Sequence, residues 1–164
     1  MDTPESKLIT MQVQGLIVDP ITEAPIVVLR EPDGHRFLPI WIGSSEARAI
    51  AITLEGLELP RPLTHDLFMN TLEAFEANVS RVEIHTLKDG TFYARLILLR
   101  SGEEIEIDAR PSDAMALALR ADAPIMVAAS VLEAAKGDES PVDEDTIKDI
   151  LQSLDEDDLG DYTM

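Results

Sequence analysis

Residues 109–120 read A-R-P-S-D-A-M-A-L-A-L-R, from Ala109 to Arg120. Pro111 suits the first position of a helix, because its missing N–H would have no partner there and its φ is already set. Ser112 and Asp113 then fall in the first turn, where an acidic side chain offsets the helix dipole. The alanines and leucines that follow are strong helix formers. Just upstream, E-E-I-E-I-D-A (103–109) reads as a strand, so this stretch is a strand turning directly into a helix.

The same corner occurs earlier in the chain. At an offset of 67 residues, S-E-A-R-A-I-A-I (45–52) lies on S-D-A-M-A-L-A-L (112–119) without a gap. Ser45 meets Ser112, Glu46 meets Asp113, and three alanines meet three alanines. Both copies follow three β-like runs. In the first these are Leu8–Val18, Ala24–Arg30 and Phe37–Ile42; in the second, Val79–Leu87, Thr91–Arg100 and Glu103–Ala109. Asp89-Gly90 and Ser101-Gly102 sit where hairpin turns are needed. The pattern predicts an α+β domain of duplicated strand-strand-strand-helix units, with mostly antiparallel sheets packed by helices. Between the copies a helix starts at Thr64, its expected N-cap, and places Leu67, Thr71, Leu72 and Phe75 on one face. Ser44 or Ser45 is the expected N-cap of the first unit's helix. After Arg120 come a short strand, P-I-M-V-A, and a last turn or helix at V-L-E-A-A.

Composition narrows the function classes. The 164 residues suffice for one domain, residues 1–136, followed by an acidic tail, 137–164, in which Ile147, Ile150, Leu151 and Leu154 stand at helical spacing. The tail holds 11 acidic residues and one lysine, about half of the net charge of −19. The remaining body is still acidic, which argues against a broad electrostatic footprint for nucleic acid; any polyanion needs a local arginine cluster or a bridging cation. There is no cysteine, no apolar run long enough to cross a bilayer, and no signal-peptide pattern in M-D-T-P-E-S-K, so a cytoplasmic protein without a membrane role is expected. P-loop, dinucleotide, nucleophile-elbow and H-E-x-x-H motifs are all missing. With seven residues among Phe, Tyr and Trp, base-stacking platforms are sparse; Trp41, Phe92 and Tyr93 are the candidates.

Three clusters carry possible chemistry. At the quoted corner, Asp108 and Asp113 flank the turn and Arg110 lies between them; a helix cap with an Arg–Asp ion pair accounts for them structurally. If the two units are related by approximate symmetry, Glu46 and Arg48 of the first corner come to the same cleft. Glu46, Asp108 and Asp113 would then hold Mg²⁺ or Mn²⁺, and Arg48 and Arg110 would bind phosphate, a set suited to metal-assisted phosphodiester hydrolysis. In P-R-P-L-T-H-D-L (60–67) Arg61 is stiffened by its flanking prolines, and His65, as a general base or a metal ligand, and Asp66 follow as catalytic candidates, with a capped helix carrying a surface histidine as the structural reading. His35 and His85 have no such neighbours.

Four segments, L-P-I-W-I-G-S-S-E-A-R-A-I-A, P-R-P-L-T-H-D-L, K-D-G-T-F-Y-A-R-L and I-D-A-R-P-S-D-A-M-A-L-A-L-R, resemble in the same order the bifunctional nuclease domain, over roughly residues 8–135. The resemblance implies a self-associating α+β domain that cleaves DNA and RNA. Assigning His65, Asp66 and Asp113 to catalysis, Arg48, Arg61 and Arg110 to phosphate, and Glu46, Asp108 and Asp113 to metal is an inference from residue type at the matching positions. The competing expectation is a non-catalytic oligomeric module that binds a small anion or a protein segment. A scaffold that recruits a partner through the tail is a weaker third.

Overall fold

The computed structural model describes residues 7–34 and 36–137. His35 and the expected tail helix around Ile147–Leu154 lie outside the described residues. The elements run β1 (Leu8–Val18), β2 (Pro25–Arg30), β3 (Phe37–Trp41), α1 (Ser44–Leu54), α2 (Thr64–Ala74), β4 (Ala77–Lys88), β5 (Thr91–Arg100), β6 (Glu103–Ala109), α3 (Pro111–Ala121), β7 (Ile125–Ala128) and α4 (Ala129–Gly137).

Local chemistry sets the turns. In the β4–β5 hairpin Asp89 and Gly90 have φ of 51° and 75°, and in the β5–β6 hairpin Ser101 and Gly102 have 53° and 79°. Two successive left-handed residues make the tight turn whose twist suits a two-residue hairpin. The loose alternation of β1 has a cause: its register against β2 slips between Val13 and Gly15, a bulge that turns the following side chains over.

The strand-strand-strand-helix order occurs twice, as β1-β2-β3-α1 and β4-β5-β6-α3. In place of separate sheets, the strands form one seven-stranded sheet in the order β3-β2-β1-β7-β4-β5-β6. β7 joins the two triplets by pairing antiparallel with β1 and parallel with β4, the single parallel pair of the described sheet. It can do so because α3 leaves the edge strand β6 and crosses back over β5 and β4.

One face of the sheet carries the main core. Met11, Val27, Leu29, Val82, Ile84, Leu96 and Leu98 pack there against Ala49 and Ile50 of α1, Ala114–Ala118 of α3, and Val131 and Leu132 of α4. Ala47, Ala49 and Ala51 on α1 and Ala114, Ala116 and Ala118 on α3 are all buried, and α1 and α3 are in contact, as expected of small residues that permit close approach. On the other face Ile17, Ile26 and Val28 cluster with Phe37 and Trp41. Toward β6 that face is polar: Glu83, only 2 % exposed, accepts hydrogen bonds from Arg81 Nε (2.6 Å) and Arg95 Nε (2.8 Å).

α2 departs from expectation. It lies at the margin of the helical layer, touching α3 and β4 through Met69 and Leu72, and it buries no residue fully. Leu67, Thr71 and Phe75, which the spacing puts on one face, are exposed; amphipathic spacing locates a face but not the side on which a neighbour lies.

Candidate functional site at three helix starts

Three helices begin at one cleft of about 990 Å³, lined by Ser45 and Glu46 of α1, the Pro62–His65 entry to α2, and Arg110 and Asp113 at the start of α3. Each helix carries its acid at the third position: Glu46, Asp66 and Asp113. The N-caps are Gly43, Leu63 and Arg110, and none offers a side-chain capping bond. The expected serine and threonine caps are instead the first or second helical residues, and the acids three positions after the caps take over the polar role. Asp66 does so directly, its Oδ2 accepting from the Leu63 N–H at 3.0 Å. The positive ends of three helix dipoles therefore face one space, an arrangement that favours an anion.

A continuous chain of polar contacts crosses the cleft. Asp113 Oδ1 lies 3.0 Å from His65 Nε2. Asp113 Oδ2 accepts from Arg110 Nε (2.9 Å) and Nη2 (2.8 Å), and the same Nη2 reaches Glu46 Oε1 at 3.1 Å. An ionised carboxylate only accepts, so the proton of a neutral His65 sits on Nε2 and the Nδ1 lone pair is left for other use. The Asp113 carboxylate, and after it Glu46, raises the Arg110 pKa above its ordinary value and keeps the guanidinium charged, although 66 % of that side chain is exposed. Arg48 lines the same cleft from the next residue positions of α1.

Other residues singled out from the sequence lie elsewhere. Asp66 shares a helix turn with His65 but turns away from the cleft: its Oδ1 accepts from Arg120 Nε of α3 at 2.8 Å. The Arg120 bond, and then the Leu63 N–H, hold its carboxyl below the usual carboxylate range. Asp66 thus ties the start of α2 to α3 and fixes where His65 stands. Asp108 borders the cleft, but it follows Ile107 on an edge strand whose successive side chains point to opposite faces. Its charge acts on His85 of β4, beside Glu106, rather than joining Glu46 and Asp113. Arg61 is exposed and lines neither this cleft nor the smaller cavity beside Arg120.

Residues 27–140, most of the chain, match the bifunctional nuclease domain. The chain belongs to the bifunctional nuclease domain family. An uncharacterized protein of Mycobacterium tuberculosis is 48 % identical to it over 122 residues, 74 % of this chain and 73 % of that protein. Bifunctional nuclease 1 of Oryza sativa subsp. indica is 30 % identical over 105 residues, covering 62 % of this chain and 32 % of the rice protein. Bifunctional nuclease 2 of Oryza sativa subsp. japonica is 28 % identical over 118 residues, 70 % of this chain and 36 % of that one.

In this bifunctional nuclease domain the residues expected to hold a metal do not form a donor set. Among the described residues no three His, Asp or Glu side chains stand close enough to share an ion. The oxygens of Glu46 and Asp113 that approach each other already share the Arg110 guanidinium, so a fixed cation of the chain occupies the place where a metal ion was expected. Two contributors were not legible in the sequence. Gly43 gives Glu46 its place, because a Cβ there would collide with the Glu46 carboxylate. Phe68, one helical turn after His65, forms part of the cleft wall.

Proposed function

We infer that the chain hydrolyses phosphodiester bonds of DNA or RNA at this cleft, with His65 as general base. The observation that carries the reading is the His65–Asp113–Arg110 chain set among three helix N-termini, in a domain whose rice relatives are named bifunctional nucleases. The substrate phosphate binds Arg110 and Arg48 and the free N–H groups of the helix starts. His65 Nδ1 takes a proton from an attacking water while the water oxygen bonds to phosphorus. The ester P–O bond breaks, and the leaving oxygen departs as the alcohol after taking up a proton from solvent water, while His65 later returns its proton to solvent. Asp113 holds the imidazole orientation and stabilises the imidazolium as it forms. Arg110 offsets the negative charge that grows on the phosphoryl oxygens. Arg48 and Arg110 are the cations that a phosphate meets in this cleft of an otherwise acidic body. Among the described residues the acidic side chains do not offer a metal ion a donor set.

The test is cleavage of end-labelled DNA and RNA by purified protein, with and without EDTA, beside His65→Gln prepared identically. Turnover that survives EDTA and is lost in His65→Gln is expected. Equal turnover in both proteins marks a contaminating nuclease and sinks the reading. A cytoplasmic setting is consistent with the cysteine-free composition. Among the described residues no helix is long and apolar enough to cross a membrane.

Self-association is part of the proposal. β6 is an edge strand, and Leu67 and Phe75 of α2 expose large apolar surface, both features that a second copy would cover. Light scattering at micromolar concentration is expected to give more than one chain per particle; a monomer would refute it. A second reading, a non-catalytic module for a small anion, is favoured by one fact: the cleft cation Arg110 is already neutralised by two carboxylates. Saturable phosphate binding without any cleavage would select it.

A further inference from the structure

The cleft lining is of two kinds. Glu46, Arg48, His65, Arg110 and Asp113 are polar or charged; Phe68, Leu96, Ile107 and Leu117 are apolar. Phe68 follows His65 by three positions on α2, so its ring lies on the same helix face as the imidazole. Ile107 comes from the edge strand, paired with buried Leu96, and is itself partly exposed. Phe68 is 37 % exposed and Ile107 38 % exposed, although both belong to a concave wall rather than a convex surface. Apolar side chains at the mouth of a cleft, beside a set of anion-binding groups, fit a ligand that is flat and apolar at one end and anionic at the other.

We propose that the apolar part of this lining receives an unpaired nucleobase, stacked on Phe68 and bordered by Ile107, from the strand whose phosphate lies at His65 and Arg110. The inference rests on the phosphodiesterase reading and deepens it by naming the substrate class as single-stranded polynucleotide. The base and its own phosphate are joined through one sugar, so a phosphate at the helix starts delivers its base to the neighbouring wall. Stacking on an aromatic ring tolerates every base, because each has a π-face, so the contact selects strand state rather than sequence. In a duplex the same base is paired and stacked on its neighbours and must be extruded before it reaches Phe68.

The test uses full-length protein carrying His65→Gln, so that binding is read without turnover, and a fluorescent single-stranded oligonucleotide containing 2-aminopurine. Expected results are a change in 2-aminopurine emission on binding, and weakening of the dissociation constant by about 5- to 100-fold in Phe68→Ala, the range of one lost stacking contact. Phe68→Leu, which keeps apolar volume, should fall between, and the circular dichroism of both variants should match the parent. An abasic oligonucleotide of equal length should bind the parent and Phe68→Ala equally, and a blunt duplex should bind the parent at least about tenfold more weakly than the single strand. Equal losses on abasic and normal strands, or duplex binding as tight as single-strand binding, overturn the proposal even if wild-type protein cleaves. Absence of both binding and wild-type cleavage instead removes the phosphodiesterase reading beneath it.

Discussion

Asp113→Asn separates chemistry from stability more cleanly than any other single change. The asparagine keeps the shape of the side chain but has one acceptor oxygen where two are needed. Asp113 now accepts from His65 Nε2 through Oδ1 and from Arg110 Nε and Nη2 through Oδ2. If the amide oxygen faces Arg110, the amide NH₂ faces His65 and drives the imidazole proton to Nδ1, the atom required as base. If the amide flips, NH₂ meets the guanidinium and the Arg110 bonds are lost. Either way the imidazolium loses its negative neighbour. Loss of effective general-base catalysis is worth about 10²- to 10⁴-fold, or about 3–5 kcal/mol of barrier. The stability cost is much smaller, because both partners reach solvent and exposed ion pairs are worth about 0–1 kcal/mol. The assay is kcat/KM on a fluorescence-quenched oligonucleotide, paired with urea unfolding of the same preparations. A folded Asp113→Asn protein within about threefold of wild-type turnover would refute the role given to His65 and Asp113.

Three further outcomes are expected. Gly43→Ala should leave the fold intact, since the atom that a new Cβ meets is the end of a flexible side chain, but it should push Glu46 off Arg110 and change activity without a matching loss of Tm. Glu83→Gln should destabilise the chain by about 1–3 kcal/mol in urea; a fully buried pair would cost more, but Arg81 and Arg95 are about one-third exposed and keep Glu104 and Glu106 as partners. A midpoint unchanged by Glu83→Gln would show the network to be dispensable. Asp19, held down to about 2 first by the Trp41 Nε1–H bond and then by the Ile21 N–H, has its ordinary value near 3.8. Its contribution to stability is therefore present above about pH 3.8 and lost as pH falls toward 2. Asp19→Asn should flatten the acid limb of stability in that window, and an unaltered limb would count against the assignment.

The sequence displayed what depends on near neighbours. Pro111 at a helix start and Asp89-Gly90 at a hairpin rest on interactions within a few residues, and both appear as read. What failed depends on who the neighbour is. The apolar spacing of α2 was plain, yet the face bearing Leu67 and Phe75 meets no partner. Asp66 and His65 are adjacent in the chain, but successive helical residues diverge, and Asp66 finds Arg120, 54 positions away. Asp108 stood close to Asp113 in sequence and borders the cleft, but it takes no part in the Glu46–Arg110–Asp113 contacts. Gly43 gave no signal because its role is an empty volume, visible only once Glu46 folds back over it.

The most direct measurement of the central claim is an amide NMR titration of isotope-labelled His65→Gln protein with a short single-stranded oligonucleotide. Shifts are expected to concentrate at the three helix starts, Ser44–Arg48, Thr64–Phe68 and Arg110–Asp113, which border the cleft. Shifts confined to the opposite sheet face around Arg81, Glu83 and Arg95, or none at saturating oligonucleotide, would contradict it.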